Sequence, residues 1–118
     1  MRDHTKLRAF ELADELALLI YGMTSAFPRS EMYGLISQMR RAAVSVPSNI
    51  VEGCARVSQA EYLRFLEVAF ASLRELRYQF GLANRLGFAK PEDASVCDMK
   101  MLETEKVLSA LIRSFRKP

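Results

Sequence analysis

Several chemistries are missing from this sequence before any pattern is sought. Its 118 residues hold no tryptophan, one histidine and two cysteines. The histidine, His4, stands on a leading segment expected to fray. One imidazole cannot furnish the two Glu-x-x-His motifs of a di-iron bundle, nor a convincing Ser-His-acid set. Cys54 and Cys97 form no C-x-x-C pair, so no zinc ribbon or thioredoxin-type motif exists. The five glycines, at 22, 34, 53, 81 and 87, are dispersed, which excludes a Gly-rich phosphate loop. The best apolar run, residues 16–21, is too short to span a bilayer. Glu11, Asp14 and Glu15 break up the one segment resembling a secretory signal. These absences point to a non-enzymatic protein without cofactor, metal or membrane contact. Its expected location is the cytoplasm, with reduced thiols.

Strand formers are also scarce. Val, Ile and Thr together number 14, against 29 Ala and Leu, and Gly and Pro together number nine. That mix favours helix over an all-β fold. The length suits a single domain over 1–118. Half of the residues are hydrophobic, at the upper end for a soluble domain. The net charge of +3 and pI of about 9.1 are compatible with a nucleic-acid partner.

The spacing predicts four helices. The first covers residues 6–26, with Leu7, Phe10, Ala13, Leu16, Ala17, Ile20 and Met23 on one stripe, and stops before Pro28. The second covers 31–55. Ser30 is its expected N-cap, and Met32, Leu35, Ile36, Met39, Ala43, Val46, Ile50 and Cys54 form its stripe. Pro47 lies inside it, so a kink is expected where the Ala43 carbonyl loses its donor. The third covers 59–86 behind a Ser58-x-x-Glu61 capping box and ends at Gly87. Its stripe runs through Tyr62, Phe65, Leu66, Ala69, Leu73, Leu76, Phe80 and Ala83. The fourth begins at Pro91 and runs to Phe115 through Val96, Met99, Leu102, Leu108, Leu111 and Ile112. Arg113, Arg116 and Lys117 complement its negative end. Short links make successive helices antiparallel neighbours. The expected fold is therefore all-α, an up-down-up-down four-helix bundle with its second helix kinked.

The run from Gln38 to Gly53 is distinctive: Gln-x-Arg-Arg-Ala-Ala-x-Ser-Val-Pro-Ser-Asn-Ile-x-Glu-Gly. With Phe27-Pro28, Glu31-x-Tyr33-Gly34, Arg56-x-Ser58 and Phe65-Leu66-x-x-Ala69-x-x-Ser72-Leu73-x-Glu75-Leu76, it closely resembles a bacterial four-helix-bundle family. That family includes proteins encoded within intervening sequences of 23S rRNA genes. Two departures are Ala71, where the family usually has Gly, and Cys54-Ala55. The resemblance implies a homo-oligomeric ring, typically a homopentamer. It marks Arg40, Arg41, Ser45, Pro47, Asn49, Glu52 and Gly53 as structural residues of the motif. The chain is also distantly similar to the accessory protein of diversity-generating retroelements, a basic pentameric barrel that partners a reverse transcriptase and binds nucleic acid.

Three surfaces are candidates for function. Gln38, Arg41, Ser45, Asn49, Glu52 and Arg56 lie on the edge of the second helix opposite its apolar stripe. Arg41 and Arg56 there suit phosphate; equally, the edge suits a solvated or subunit-facing role, with Asn49 or Ser45 serving the carbonyl freed by Pro47. Arg74, Arg77 and Arg85 form a basic stripe on the third helix, interrupted by Glu67. The whole positive excess falls on residues 30–90, which favours RNA or DNA as partner, although ordinary surface salt bridging explains the same residues. Leu63 with Phe70, and Val44 with Val51, recur seven apart beside the main stripes, as a second seam for a neighbouring subunit does, although simple breadth of the internal core explains the same positions. The resulting expectation is an oligomeric, nucleic-acid-associated interaction module. The alternative is a protein-docking scaffold that touches no nucleic acid.

Overall fold

The computed structural model describes residues 2–116. It contains α1 (Arg8–Thr24), α2 (Leu35–Cys54), α3 (Gln59–Arg85) and α4 (Pro91–Arg116), with short 3-10 turns at His4–Lys6 and Arg29–Glu31. No strand occurs among the described residues. Lys117 lies outside them. Each helix packs on two others: α1 on α2 and α4, and α3 on α2 and α4, while the diagonal pairs stay apart. That is the square cross-section of an up-down-up-down bundle, 46 Å long and 24 by 21 Å across.

The turns follow local chemistry. The oxygen of Ser58 accepts from the Glu61 N–H at 3.1 Å and starts α3; Glu61 does not complete the box by reaching back. Gly87 adopts φ +77°, which only glycine enters without strain. There the Gly87 N–H donates to the Asn84 carbonyl and the Phe88 N–H to the Ala83 carbonyl, both at 3.0 Å. This pair of bonds is a Schellman close, and Phe88 then meets Phe27. The start of α2 departs from expectation. Ser30 lies within a 3-10 turn, and the cap is the Glu31 carboxylate, which accepts from the Leu35 N–H at 3.0 Å. The longer side chain reaches across a turn that Ser30 cannot span.

The leading segment is tied down where fraying was expected. The Arg2 N–H donates to the Cys54 carbonyl, its guanidinium donates to the Arg56 carbonyl, and the same group lies 4.0 Å from the centre of the Tyr62 ring. Arg2 thus satisfies the last carbonyl of α2, which the helix itself leaves open, and one just beyond it. His4 packs on Phe10.

The core stripes of α2 and α3 lie close to those the spacing predicts, with Met39, Val46, Ile50, Leu66, Leu73 and Leu76 fully enclosed. In α1 Leu12 and Ala9 replace Leu7 and Phe10 at the centre, and the latter two are half-buried. The stripe of α4 holds at Leu108 and Ile112 and is corrected in the first half of the helix. Val96, Met99 and Leu102 point outward, with Met99 69 % exposed, and the core takes Cys97, Met101, Thr104, Leu108 and Ile112. Charges on both flanks set this register. Lys100 pairs with Glu15 of α1 at 2.6 Å, while Asp98 and Glu105 pair with Arg77 of α3. Thr104 is admissible in the core because its hydroxyl donates to the Lys100 carbonyl at 2.7 Å, leaving no unpaired polar group.

Candidate functional site

The polar edge of α2 faces α3. Gln38, Arg41, Ala42, Ser45, Ser72 and Glu75 line a groove of about 540 Å³ between the two helices. Its floor is cross-linked: the Ser45 and Ser72 hydroxyls are 2.8 Å apart, and the Asn49 amide donates to the Ser45 carbonyl and hydroxyl at 2.8 and 3.0 Å. Asn49 therefore serves the Ser45 carbonyl and not the Ala43 carbonyl freed by Pro47. The helix runs unbroken through Pro47. Gln79 was no candidate, yet it is buried beside this edge and donates to Glu75 at 3.3 Å. Around the axis of α3 it falls between Ser72 and Glu75 at the border of the apolar stripe, where spacing alone does not separate a buried amide from a surface one.

Other motif residues hold the ends of the bundle. Arg40 reaches back to α1, where its Nε donates to Thr24 Oγ1 at 2.9 Å and its head lies over the Tyr21 ring. Glu52 and Arg56 form their expected pair at 3.5 Å, and the Arg56 head also covers Phe65. Gly53 is buried where α3 crosses: a Cβ there would stand 2.8 Å from the Phe65 Cβ.

The arginine stripe of α3 is largely engaged by α4. Arg77 pairs with Glu105 at 2.5 Å and Asp98 at 3.6 Å, and Arg74 pairs with Glu105 at 3.6 Å. Glu67, which interrupts the stripe, pairs with Arg116. Acids 21 to 31 residues along the chain neutralise these cations, a pairing that helix-three spacing alone does not reveal. Arg85 only touches the Gly81 carbonyl, and Arg41 makes no ion pair among the described residues.

The two apolar seams lie on opposite sides of the square. Val44 and Val51, 41 % and 36 % exposed, line a groove between α1 and α2 with Phe10, Ala17 and Pro47, and Asp14 and Glu52 stand at its rim. Phe70 lines a groove between α3 and α4 with Ala71 and Ile112, where Arg113 and Arg116 join Glu67. Leu63 is half-buried against the core and lines neither groove. The spacing of seven singles out Val44, Val51 and Phe70 but not the charged residues beside them, because those come in part from the neighbouring helices.

Neither thiol is poised for chemistry. Burial pushes Cys97 up to about 12 and raises Cys54 also. Burial likewise lifts Tyr62 to about 12. No cluster of three metal-ligating side chains occurs among the described residues, and no helix there is long and apolar enough to cross a membrane.

Comparison with known proteins adds two findings. A family described as "23S rRNA-intervening sequence protein" matches residues 5–110. A crystal structure of a protein with unknown function from the S23 ribosomal protein family of Bacteroides thetaiotaomicron is similar in fold. Its TM-score is 0.78 at 21 % identity, over 88 % of this chain and 97 % of that one. None of the curated proteins compared matches the chain. The similarity to retroelement accessory proteins finds no support in these comparisons.

Proposed function

The chain belongs to the 23S rRNA-intervening sequence protein family, and from that premise we propose that it is a non-enzymatic assembly module whose copies join head to tail. One observation carries the reading. Opposite faces of the bundle bear apolar grooves whose rims differ in charge, acidic between α1 and α2 and mainly basic between α3 and α4. A face that fits a different face on the next copy makes a heterologous contact, and such contacts close into rings when the rotation allows. The subunit number of five rests on the resemblance alone. Light scattering tests assembly. The wild-type chain is expected as a particle several times 13.4 kDa; Val44→Asp with Val51→Asp is expected to run as a monomer of unchanged helicity. A wild-type monomer at micromolar concentration refutes the reading.

Nucleic acid is the proposed partner of the assembled form, located in the cytoplasm. Arg41 and Arg85, free of ion pairs among the described residues, and the exposed ring of Tyr78 favour it. A ring repeats these cations with each subunit. Single-stranded RNA or DNA is expected to bind with affinity that falls steeply with salt. Arg41→Glu with Arg85→Glu is expected to remove that binding. Those positions serve better than Arg74 and Arg77, whose loss would strand Glu105, half-buried between α3 and α4. Salt-insensitive or absent binding favours a protein-docking scaffold instead.

A further inference from the structure

The polar groove between α2 and α3 contains a mismatch that folding alone does not explain. Arg41 and Glu75 both line it, yet neither forms an ion pair with the other or with anything else among the described residues. Behind this edge Gln79, only 4 % exposed, donates its amide to Glu75 Oε2 at 3.3 Å, and its own Oε1 has no partner. The amide cannot turn round, because that would set an acceptor against the carboxylate. Buried unpaired acceptors are rare and call for a reason. Here the buried amide anchors the carboxylate, leaving Glu75 Oε1 without a protein donor.

We propose that this groove binds a guanine base of single-stranded nucleic acid, an inference that rests on the nucleic-acid reading above. The volume of about 540 Å³ falls within the range of roughly 300–1,000 Å³ usual for small-ligand sites. The chemistry selects the base. Guanine alone presents two adjacent donors, N1–H and the N2 amino group, on its Watson–Crick edge, and a carboxylate offers two acceptors at matching spacing. Its O6 and N7 accept from a guanidinium, the role of Arg41, with Gln38 beside it as a further donor. Adenine, cytosine and uracil each set at least one acceptor against the carboxylate. The hydroxyl pair Ser45–Ser72 and the Asn49 amide keep the floor in place before the base arrives.

The test compares two oligonucleotides, a uridine octamer and the same octamer with one central guanosine, by fluorescence anisotropy at fixed salt. The guanosine strand is expected to bind the wild-type protein about tenfold more tightly, the discrimination of one good bidentate pair. Glu75→Gln, at an exposed position that does not threaten folding, is expected to bind both strands equally, and the uridine octamer no more weakly than the wild type does, because a negative charge leaves the groove. Equal binding by the wild type, or a guanosine preference that survives Glu75→Gln, overturns the guanine site and leaves the nucleic-acid reading standing. No binding of either strand overturns both.

Discussion

Gly53 and Gly81 are both helical glycines, and the space around them differs. A Cβ on Gly53 would lie 2.8 Å from the Phe65 Cβ and 3.3 Å from Tyr62 Cδ1, whereas a Cβ on Gly81 would meet nothing within 4 Å. The Phe65 Cβ is fixed to its backbone and cannot swing aside, so α2 and α3 must part to admit a methyl group. Overpacking of this kind costs about 1–3 kcal/mol, more than the gain of about 1 kcal/mol from replacing glycine by alanine in a helix. Gly53→Ala is therefore expected to lower stability, and Gly81→Ala to raise it by about 0.5–1 kcal/mol. Urea unfolding followed by circular dichroism checks both; two changes of the same sign would contradict the close approach at Gly53. The sequence marked Gly53 only through its place in a motif. Its reason lies in two side chains of α3, and the Thr24 and Tyr21 partners of Arg40 lie in α1. Single-helix patterns do not contain such information.

Among the elements, α2 and α3 were legible because each carries one dominant apolar stripe. α4 carries two. Val96, Met99 and Leu102 make one, and Cys97, Met101, Leu108 and Ile112 make the other, interrupted by a threonine. Spacing in the first half of α4 suggests the first stripe, while ion pairs to α1 and α3 and the self-satisfied Thr104 hydroxyl favour the second. Two methionines two residues apart, and so on opposite faces of the helix, separate these registers. Met101 is fully enclosed and Met99 is exposed. Met101→Ala is expected to cost about 2–5 kcal/mol, and Met99→Ala to stay within about 0.5 kcal/mol, by chemical denaturation of each variant. A larger loss for Met99→Ala would restore the register that spacing alone suggests. The candidate groove between α2 and α3 was half legible in the same sense: Gln38, Arg41 and Ser45 stand on one edge, but Ser72, Glu75 and Gln79 enter only once the two helices are paired.

At the scale of the whole molecule, the order of the helices round the square decides which faces can meet. Because α1 contacts α2 and α4 but not α3, the α1–α2 groove and the α3–α4 groove must lie on opposite sides. A contact between unlike faces has a signature that a contact between like faces lacks. Reverse the charge of the basic rim in one variant, Arg113→Glu with Arg116→Glu. Break the other face in a second variant, Val44→Asp with Val51→Asp. All four positions are exposed, so both chains are expected to fold and to remain monomeric alone. Mixed in equal amounts, the intact α1–α2 face of the first variant receives the intact α3–α4 face of the second. The joined pair then has only broken faces left, so growth stops at a dimer of twice 13.4 kDa. Analytical ultracentrifugation of the mixture reads this directly. If the α1–α2 face instead paired with its own kind, the charge-reversed variant would assemble unaided and mixing would add nothing, an outcome that rules out head-to-tail closure.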